Sequence, residues 1–298
     1  MHKILVSEPH IASYSACLLL ALIAGYLISR WRAVRVGLEG AHIDNMTLLI
    51  AVSSLFGARV FSWWFEFPEG VSPWSALTNA SGGMVFYGGM IFGAIAVVAY
   101  AACTCLSLGN LMDACAPGLA LGLAIGRIGC FMAGCCWGDV CISDAQAASI
   151  HDPSVLRQVR TFSILSPSTY PLAVTFPPDA GATEQHCDLG LTSKESARSL
   201  PVHPVQLYET AFALLLCLYL HRAFKRREWE GEIIWQFMFG YGVIRFSLEF
   251  FRADNPAAFA GLTLSQLISI GMVVAAITVF RSHKSHIRVA RLNHVRLD

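Results

Sequence analysis

The sequence predicts an all-α integral membrane protein with seven transmembrane helices. Hydrophobic residues make up 55% of the chain and charged residues only 14%. A soluble domain with so few charged residues would be hard to keep in solution. Seven apolar runs are long enough to cross roughly 30 Å of hydrocarbon as helices. These runs lie near residues 11–29, 46–67, 84–106, 112–132, 205–220, 233–251 and 262–280.

Basic residues predict how these helices are oriented. They cluster after the first, fifth and seventh runs, at Arg30, Arg32, Arg35, Arg222, Lys225, Arg226, Arg227, Arg281, Lys284, Arg288, Arg291 and Arg296. Because cytoplasmic loops collect Lys and Arg, we expect the N-terminus outside and the C-terminus in the cytoplasm. The first run lacks a convincing small-residue cleavage site and is followed by several arginines, which indicates a retained helix rather than a signal peptide.

Residues 1–298 are expected to form a single polytopic membrane domain, interrupted by one segment that is not membrane-like. Residues 138–202 are rich in Pro, Ser, Thr, Asp and Gln, and the orientation places them outside as an external loop or small cap between spans four and five. A solvated connector and a role in substrate access remain equal alternatives. The net charge of +1 and the lack of a basic aromatic cluster give no indication of a nucleic-acid partner.

The sixth run carries four polar side chains on one face of an apolar helix. At 100° per residue, the positions of Tyr241, Arg245, Glu249 and Arg252 fall within an arc of about 80°. An arginine at the centre of a bilayer helix costs about 3 kcal/mol even on the lenient insertion scale. Such residues therefore indicate a functional site, here one for an anionic ligand within the membrane protein.

Two glycine-rich segments flank further candidate residues. The fourth run repeats glycine at Gly118, Gly122 and Gly126, a stripe typical of close helix packing, but packing does not require the cation at Arg127 that follows. The second segment, residues 81–89, places pairs of glycines on both sides of a Met-Val-Phe-Tyr core. It could bend around a ligand or form a re-entrant turn, and Tyr87 is its only group with proton chemistry.

Six segments together resemble the bacterial prolipoprotein diacylglyceryl transferase family. Each motif is weak by itself, but their order and placement on the spans indicate a common fold. The segments are Tyr14 in the first helix, Asp44 with Gly57-Ala58-Arg59, the double-glycine segment, Gly126-Arg127-Ile128-Gly129, the segment from His203 through Gln206 and Tyr208 to Glu209, and the helix from Tyr241 to Arg252.

The resemblance implies a transferase of the bacterial inner membrane. In the reaction it implies, a diacylglyceryl group moves from phosphatidylglycerol to the thiol of a lipobox cysteine in an exported preprolipoprotein, releasing glycerol phosphate. Guanidinium groups suit this donor because they bind phosphate oxygens bidentately and offset the charge that grows as the phosphate leaves. We assign Arg127 and Arg245 to this clamp, and Glu249, one turn from Arg245, to orienting it.

The resemblance also implies a set of substrate-binding residues. Tyr14 and Tyr241 lie near span ends, where they could be aromatic residues of the membrane interface or contacts to the lipid head group. Arg252 could either contact the head group or snorkel to water. The residues that open the fifth span are expected to shape the site; they are His203, Gln206, Tyr208 and Glu209. The full set is Tyr14, Arg59, Cys130, His203, Gln206, Tyr208, Tyr241 and Arg252.

Two positions depart from the family pattern and alter the proton chemistry. Tyr87 stands where the family has histidine between its glycine pairs, and Cys130 stands where the family has asparagine. Forming a phenolate at pH 7 costs about 4 kcal/mol, so a tyrosine base would need help from Arg127. If the family histidine only hydrogen-bonds the substrate, tyrosine replaces it at little cost.

The cysteines of the outer half are interpreted as structural, and neither a metal nor a cofactor is expected. Cys130, Cys135, Cys136 and Cys141 lack the paired spacing of zinc sites, so disulfides rank first, unpaired packing second, and metal or redox chemistry third. We expect a Cys141–Cys187 disulfide, with Cys135 or Cys136 as alternative partners.

Three functional alternatives follow from the sequence. The first is the phospholipid-dependent transferase, and the second is an altered relative that binds anionic lipid or lipoprotein without turnover or uses another acceptor. A membrane thiol-redox protein is the third and weakest. Retention of Arg127, Arg245 and Glu249 favours the enzyme, because a non-catalytic scaffold would gain stability by losing them.

Overall fold

The described part of the protein is almost entirely helical. A computed structural model describes residues 4–7, 10–66, 85–141, 171–178, 180–192, 198–252 and 257–295. Its helices are α1 (Ser13–Arg35), α2 (Gly40–Glu66), α3 (Phe86–Cys103), α4 (Leu108–Ala133), α5 (Gly181–Asp188), α6 (Val205–Ala223), α7 (Glu232–Glu249) and α8 (Leu264–Val295). This confirms the predicted all-α class.

Several of these helices are long and apolar enough to cross a membrane. Within the described residues, five satisfy both criteria: Ser13–Arg35, Gly40–Trp64, Leu108–Ala133, Val205–Arg226 and Leu264–His283. α3 supplies a shorter apolar stretch, Tyr87–Cys103. α7 carries Glu232, Arg245 and Glu249 within its 18 residues, which lowers its hydropathy. The chain is therefore a multi-pass membrane protein.

Two short antiparallel hairpins accompany the helices and were not predicted. β1 (Ile4–Ser7) pairs with β2 (His10–Ala12), and β3 (Ala257–Phe259) pairs with β4 (Leu262–Thr263). The turn of the second hairpin holds Ala260 at φ 50° and Gly261 at φ 77°. Positive φ at both positions is typical of the two-residue turn whose twist matches that of the strands it joins. This hairpin leads directly into α8.

Thr263 ends that hairpin and caps α8. Its backbone N donates to Gln266 Oε1 at 3.0 Å, and the Gln266 backbone N donates to Thr263 Oγ1 at 3.3 Å. This reciprocal pair is a capping box, which satisfies two of the amide groups that a helix leaves unpaired at its start. The first turn of α8 is thereby fixed close to the end of α7.

The contacts divide the chain into two compact units. The first unit contains residues 1–25, 119–225 and 235–298, and the second contains residues 26–118 and 226–234. Each unit has its own buried apolar cluster. In the second unit the cluster includes Ile43, Met46 and Leu111, and in the first it includes Trp137 and Phe176.

Glycines set the close approach of α2 and α3 in the second unit. A Cβ at Gly57 would lie 2.5 Å from the Gly88 carbonyl oxygen and 2.6 Å from Phe92, so no larger residue fits there. Gly88 in turn meets the Gly57 backbone. Gly88 therefore serves helix packing, while Gly82 and Gly83 of the same predicted segment lie outside the described residues.

Asp113 is a second organising feature of that unit. It is fully buried and accepts hydrogen bonds from the backbone N of Gly231 at 2.8 Å and of Ile234 at 2.9 Å. Arg227 pairs with the same carboxylate at 3.2 Å. A carboxylate at the start of α7 satisfies orphan amides and complements the helix dipole, so Asp113 fixes the connection between α6 and α7.

The described parts of the 138–202 segment are packed rather than loosely solvated. Isolated bridges join Val202 to both Val140 and Val174, and Phe176 is fully buried among them. Helix α5 follows, and burial lowers the pKa of its His186 to about 4. The described residues of this segment thus share one apolar cluster with Trp137.

Candidate active site

Arg127 projects from α4 and pairs with a buried glutamate of α6. Its Nε lies 3.0 Å from Glu209 Oε2, and the two side chains are 17% and 1% exposed. Thr210 Oγ1, next to this glutamate, donates to the Ala124 carbonyl oxygen of α4 at 3.2 Å. The two helices are thus joined one turn from the ion pair.

Glu209 also receives a hydrogen bond from α7. The Tyr241 hydroxyl donates to Glu209 Oε1 at 2.9 Å, and the Tyr241 ring stacks on Phe237 with centroids 5.8 Å apart. Glycines on either side of the tyrosine let α7 fit closely. A Cβ at Gly240 would lie 2.7 Å from Leu216 of α6, and one at Gly242 would lie 3.1 Å from the Ser269 carbonyl oxygen of α8.

The other end of α7 carries a second charge cluster. Arg245 Nη1 lies 2.6 Å from Glu249 Oε2, and Arg245 Nη2 donates to Ser265 Oγ at 3.1 Å. Glu249 Oε1 accepts a hydrogen bond from Thr263 Oγ1 at 2.6 Å, which links it to the cap of α8. Arg252 Nε lies 3.8 Å from the same glutamate.

The side chain of Arg252 lies in the same charge cluster. Its side chain is only 6% exposed and shares Glu249 with Arg245, so it does not snorkel to water. Of the predicted polar face, Tyr241, Arg245 and Glu249 lie on α7 and have partners on α6, α8 and β4, respectively, whereas Arg252 lies beyond the end of the helix. A buried carboxylate between two guanidinium groups leaves one net positive charge there.

The Arg127 guanidinium is anchored along one edge only. Among the residues that the structure describes, Glu209 is its ion-pair partner, through Nε. Its two Nη atoms have no ion-pair partner in the described part of the chain, and they form the planar fork with which arginine binds carboxylate or phosphate oxygens bidentately. Arg245, by contrast, is held at both Nη atoms. Arg127 thus presents an open fork, and Arg245 a fixed charge.

The segment that opens α6 packs against the residues that follow α4 and α7. His203 is 2% exposed, its Nδ1 lies 3.2 Å from the Tyr208 hydroxyl, and its ring meets Phe251 edge-on at 5.7 Å. Gln206 Nε2 donates to the Cys135 carbonyl oxygen at 2.8 Å. These contacts tie α6 to the ends of α4 and α7.

Tyr14 and Cys130 lie beside Arg127 at the end of α4. A Cβ at Gly129 would meet the Tyr14 ring at 3.5 Å and Cys17 at 2.8 Å, so the glycine lets α1 pass close to α4. Tyr14 is 42% exposed and lies within electrostatic reach of Arg127 and Cys130.

Two predicted site residues belong to the second unit. Tyr87 is 36% exposed in the first turn of α3, and Arg59 is half-buried on α2. The structure brings together Arg127, Arg245, Glu249, Tyr241, Arg252, Tyr14, Cys130, His203, Gln206 and Tyr208 within the first unit. The roles of all twelve residues stay proposals.

Asp139 is a buried carboxyl that sequence reasoning missed. It is 4% exposed, and burial raises its pKa to about 7. Its backbone N donates to the Phe251 carbonyl oxygen at 2.8 Å, and its carbonyl oxygen accepts from His203 N at 3.0 Å. Burial and the Asp139 charge also raise the pKa of Cys141 to about 11.

The expected disulfide is not formed. None of the ten cysteines, all of which lie in the described part of the chain, is in a disulfide. Cys141 is 2% exposed with its backbone N bonded to the Pro201 carbonyl oxygen, and Cys187 Sγ lies 3.3 Å from Thr192 Oγ1. The structure instead gathers Cys130, Cys135 and Cys136, whose Sγ atoms all lie within 4.8 Å of one another.

A family model described as prolipoprotein diacylglyceryl transferase matches residues 3–281 of the chain. The chain belongs to this family. A phosphatidylglycerol–prolipoprotein diacylglyceryl transferase of Clostridium tetani is 26% identical over 270 residues, covering 91% of this chain and 92% of that protein. A second such transferase, from Clostridium perfringens, is 25% identical over 275 residues, with 92% and 91% covered.

A third member of the family comes from a distant bacterium and matches over a similar length. The phosphatidylglycerol–prolipoprotein diacylglyceryl transferase of Citrobacter koseri is 27% identical over 291 residues, covering 89% of each chain. These matches confirm the family that the sequence motifs predicted. The relatives' shared name also agrees with the predicted class of enzyme, a transferase.

Proposed function

We propose that this protein transfers a diacylglyceryl group from phosphatidylglycerol to the lipobox cysteine thiol of exported preprolipoproteins. The observation that carries the proposal is the Arg127 guanidinium, which Glu209 anchors at Nε while neither Nη atom has an ion-pair partner among the described residues. Relatives named for this reaction, matching along nine-tenths of the chain, support the same activity. A buried open guanidinium fork suits a phosphodiester far better than it suits lipid tails.

The reaction needs little from the protein beyond placement and charge. The acceptor sulfur forms a bond to the terminal glyceryl carbon, the bond from that carbon to the phosphate oxygen breaks, and glycerol phosphate leaves with the electron pair. The phosphate changes from a monoanion towards a dianion, so donors fixed on its oxygens bind the transition state more tightly than the substrate. Arg127 supplies two such donors.

Arg245 takes the second part of the clamp as a fixed cation. Glu249 and Ser265 hold both of its Nη atoms, so its position is set before the lipid binds. Glu249 is shared with Arg252 and bonded by Thr263, which makes it an orienting group.

The proton of the acceptor thiol must then go to another group, and we assign it to Tyr87 or to a water that Tyr87 binds. Tyr87 occupies the position of the family histidine in the sequence and is solvent-accessible. A phenol accepts a proton only when positive charge stabilises the phenolate. This requirement makes Tyr87 the residue whose substitution is most informative.

The topology completes the proposal. Seven spans would place the N-terminus and the 138–202 cap outside the inner membrane, and the C-terminus in the cytoplasm. The seven spans comprise the five long apolar helices, α3 and α7. Exported preprolipoproteins would then meet the end of α4 from the outer face.

Complementation of a bacterial strain depleted of its own transferase tests the function. Expression of the wild-type chain should restore growth and thioether-linked lipid on a reporter lipoprotein, whereas Arg127→Ala should restore neither. Equal membrane levels of both proteins provide the control. Accumulation of unmodified reporter with the wild-type chain would contradict the transferase and favour a lipid-binding relative without turnover.

A further inference from the structure

Three thiols converge where α4 ends. Cys130 lies in the last turn of the helix, Cys135 and Cys136 follow it, and all three Sγ atoms lie within 4.8 Å of one another. Three sulfur ligands at 2.3 Å from one cation are separated by about 4 Å. The thiols are therefore already near the spacing of a three-coordinate metal site.

The backbone holds this convergence in place. Gly134 at φ 67° and Cys136 at φ 61° are both left-handed, and the Cys135 backbone N returns to the Cys130 carbonyl oxygen at 3.1 Å. A non-glycine residue in this region costs about 1 kcal/mol. Strained backbone of this kind persists where surrounding contacts fix it, and it is common at ligand-binding positions.

Neighbouring residues fix the turn further. Gln206, which is 1% exposed, donates to the Cys135 carbonyl oxygen at 2.8 Å, and the Trp137 indole donates to Gln185 Oε1 at 3.0 Å. A Cβ at Gly134 would lie 2.7 Å from Ala180 Cβ, so this glycine cannot be replaced without moving the cap. The cluster is thus built by the fold and does not require a ligand to assemble.

Two guanidinium groups lie near the cluster. The guanidinium charges of Arg252 and Arg127 both act on Cys136, the central thiol of the turn. Positive charges stabilise the thiolate, which is the form that ligates metals. Among the described residues no histidine or carboxylate joins the three sulfurs, so the donor set is purely soft.

We propose that Cys130, Cys135 and Cys136 form a three-thiolate site for one thiophilic monovalent cation, best matched by Cu(I). Thiolates select Cu(I) over harder cations, and a trigonal sulfur set needs no fourth ligand for it. Zn(II) normally takes four ligands and would have to recruit water. On binding, each thiol that still holds its proton releases it to solvent, and no electron is transferred.

The proposal does not rest on the transferase function, and its test has no transfer readout. The full-length protein in phospholipid nanodiscs is reduced, freed of reductant and titrated anaerobically with Cu(I) against a chromogenic chelator. We expect one tight equivalent. Loss of a group that only hydrogen-bonds a metal ligand typically lowers metal affinity about 10–100-fold. Loss of a sulfur ligand itself, in Cys130→Ser, Cys135→Ser or Cys136→Ser, should therefore weaken Cu(I) binding by about 100-fold or more.

Matched controls separate the cluster from other thiols. Cys103→Ser and Cys105→Ser remove exposed cysteines elsewhere and should leave binding unchanged. Cys136→Gly removes a thiol while relieving the left-handed strain, so it is expected to fold even where a serine variant does not. Unchanged Cu(I) affinity in the folded Cys136→Gly protein would overturn the proposal, as would displacement of Cu(I) by an equal concentration of Zn(II).

Discussion

The sharpest prediction concerns Glu209, which joins Arg127 and Tyr241. In Glu209→Gln the amide keeps the size of the side chain, but it can present its oxygen to only one of the two donors. The partners lie at 3.0 Å and 2.9 Å, and Glu209 is 1% exposed, so the change also leaves the Arg127 charge without its buried counterion. Removing one member of a buried pair costs about 3–5 kcal/mol.

That cost should appear as lost transfer, because the fork would no longer be held toward the phosphate. At 1.4 kcal/mol per factor of ten, about 3 kcal/mol corresponds to a fall in kcat/KM of roughly 100-fold. The assay measures lipid transfer from phosphatidylglycerol to a synthetic lipobox peptide in proteoliposomes. Glu184→Gln, the same change on an exposed residue of α5, should retain full activity. Wild-type kcat/KM in a folded Glu209→Gln protein would refute the anchoring role.

Three further predictions test the proton acceptor, the buried Asp139 and the α6–α7 connection. Tyr87→Phe should lower transfer by about 100-fold while Tyr87→His retains it at neutral pH, and a fully active phenylalanine variant would place the proton acceptor elsewhere. Burial raises the pKa of Asp139 from 3.8 to about 7, so this carboxyl ionises at a lower pH in the unfolded chain than in the folded protein. The free energy of unfolding of the wild type, measured relative to Asp139→Asn by denaturation, should therefore fall as pH rises from about 4 to about 7. A difference that stays constant over this range would contradict the prediction. Asp113→Ala should lose about 3 kcal/mol in thermal unfolding because it removes the buried carboxylate that pairs with Arg227 and accepts two backbone hydrogen bonds. An unchanged melting temperature would show that these contacts contribute little.

The helices were predictable because hydrocarbon leaves the backbone few alternatives. A helix satisfies its own hydrogen bonds, so an apolar run of sufficient length is almost certain to be helical. A helix lies at each predicted run, although the number that cross the membrane stays a prediction. The hairpin before α8 was missed because its strands are two and three residues long and carry no periodic pattern.

The polar face of α7 was predictable from its period, but its partners were not. Helical spacing places Tyr241, Arg245 and Glu249 on one face without showing which helix that face meets. Glu209 was named within a motif and yet left out of the predicted catalytic and substrate-binding residues. The signal was available in charge: buried Arg127 requires a counterion, and Glu209 begins a neighbouring apolar span.

The cysteine cluster shows where sequence spacing fails. Cys130, Cys135 and Cys136 do not follow the paired spacing of metal sites, and the sequence therefore favoured disulfides. Their convergence depends on left-handed backbone at Gly134 and Cys136, and only the glycine is a residue whose identity suggests that conformation. A non-glycine residue at positive φ is uncommon enough that sequence reasoning does not anticipate it.

The central claim is that the open fork of Arg127 binds the phosphate of the donor lipid during transfer. The most direct measurement is thioether product formed by purified Arg127→Lys protein in phosphatidylglycerol proteoliposomes, with Arg226→Lys, an exposed arginine of the α6–α7 connection, as the matched control. The account predicts at least a roughly tenfold loss for Arg127→Lys, the worth of one charged hydrogen bond, and none for the control. Wild-type product yield from Arg127→Lys would contradict it.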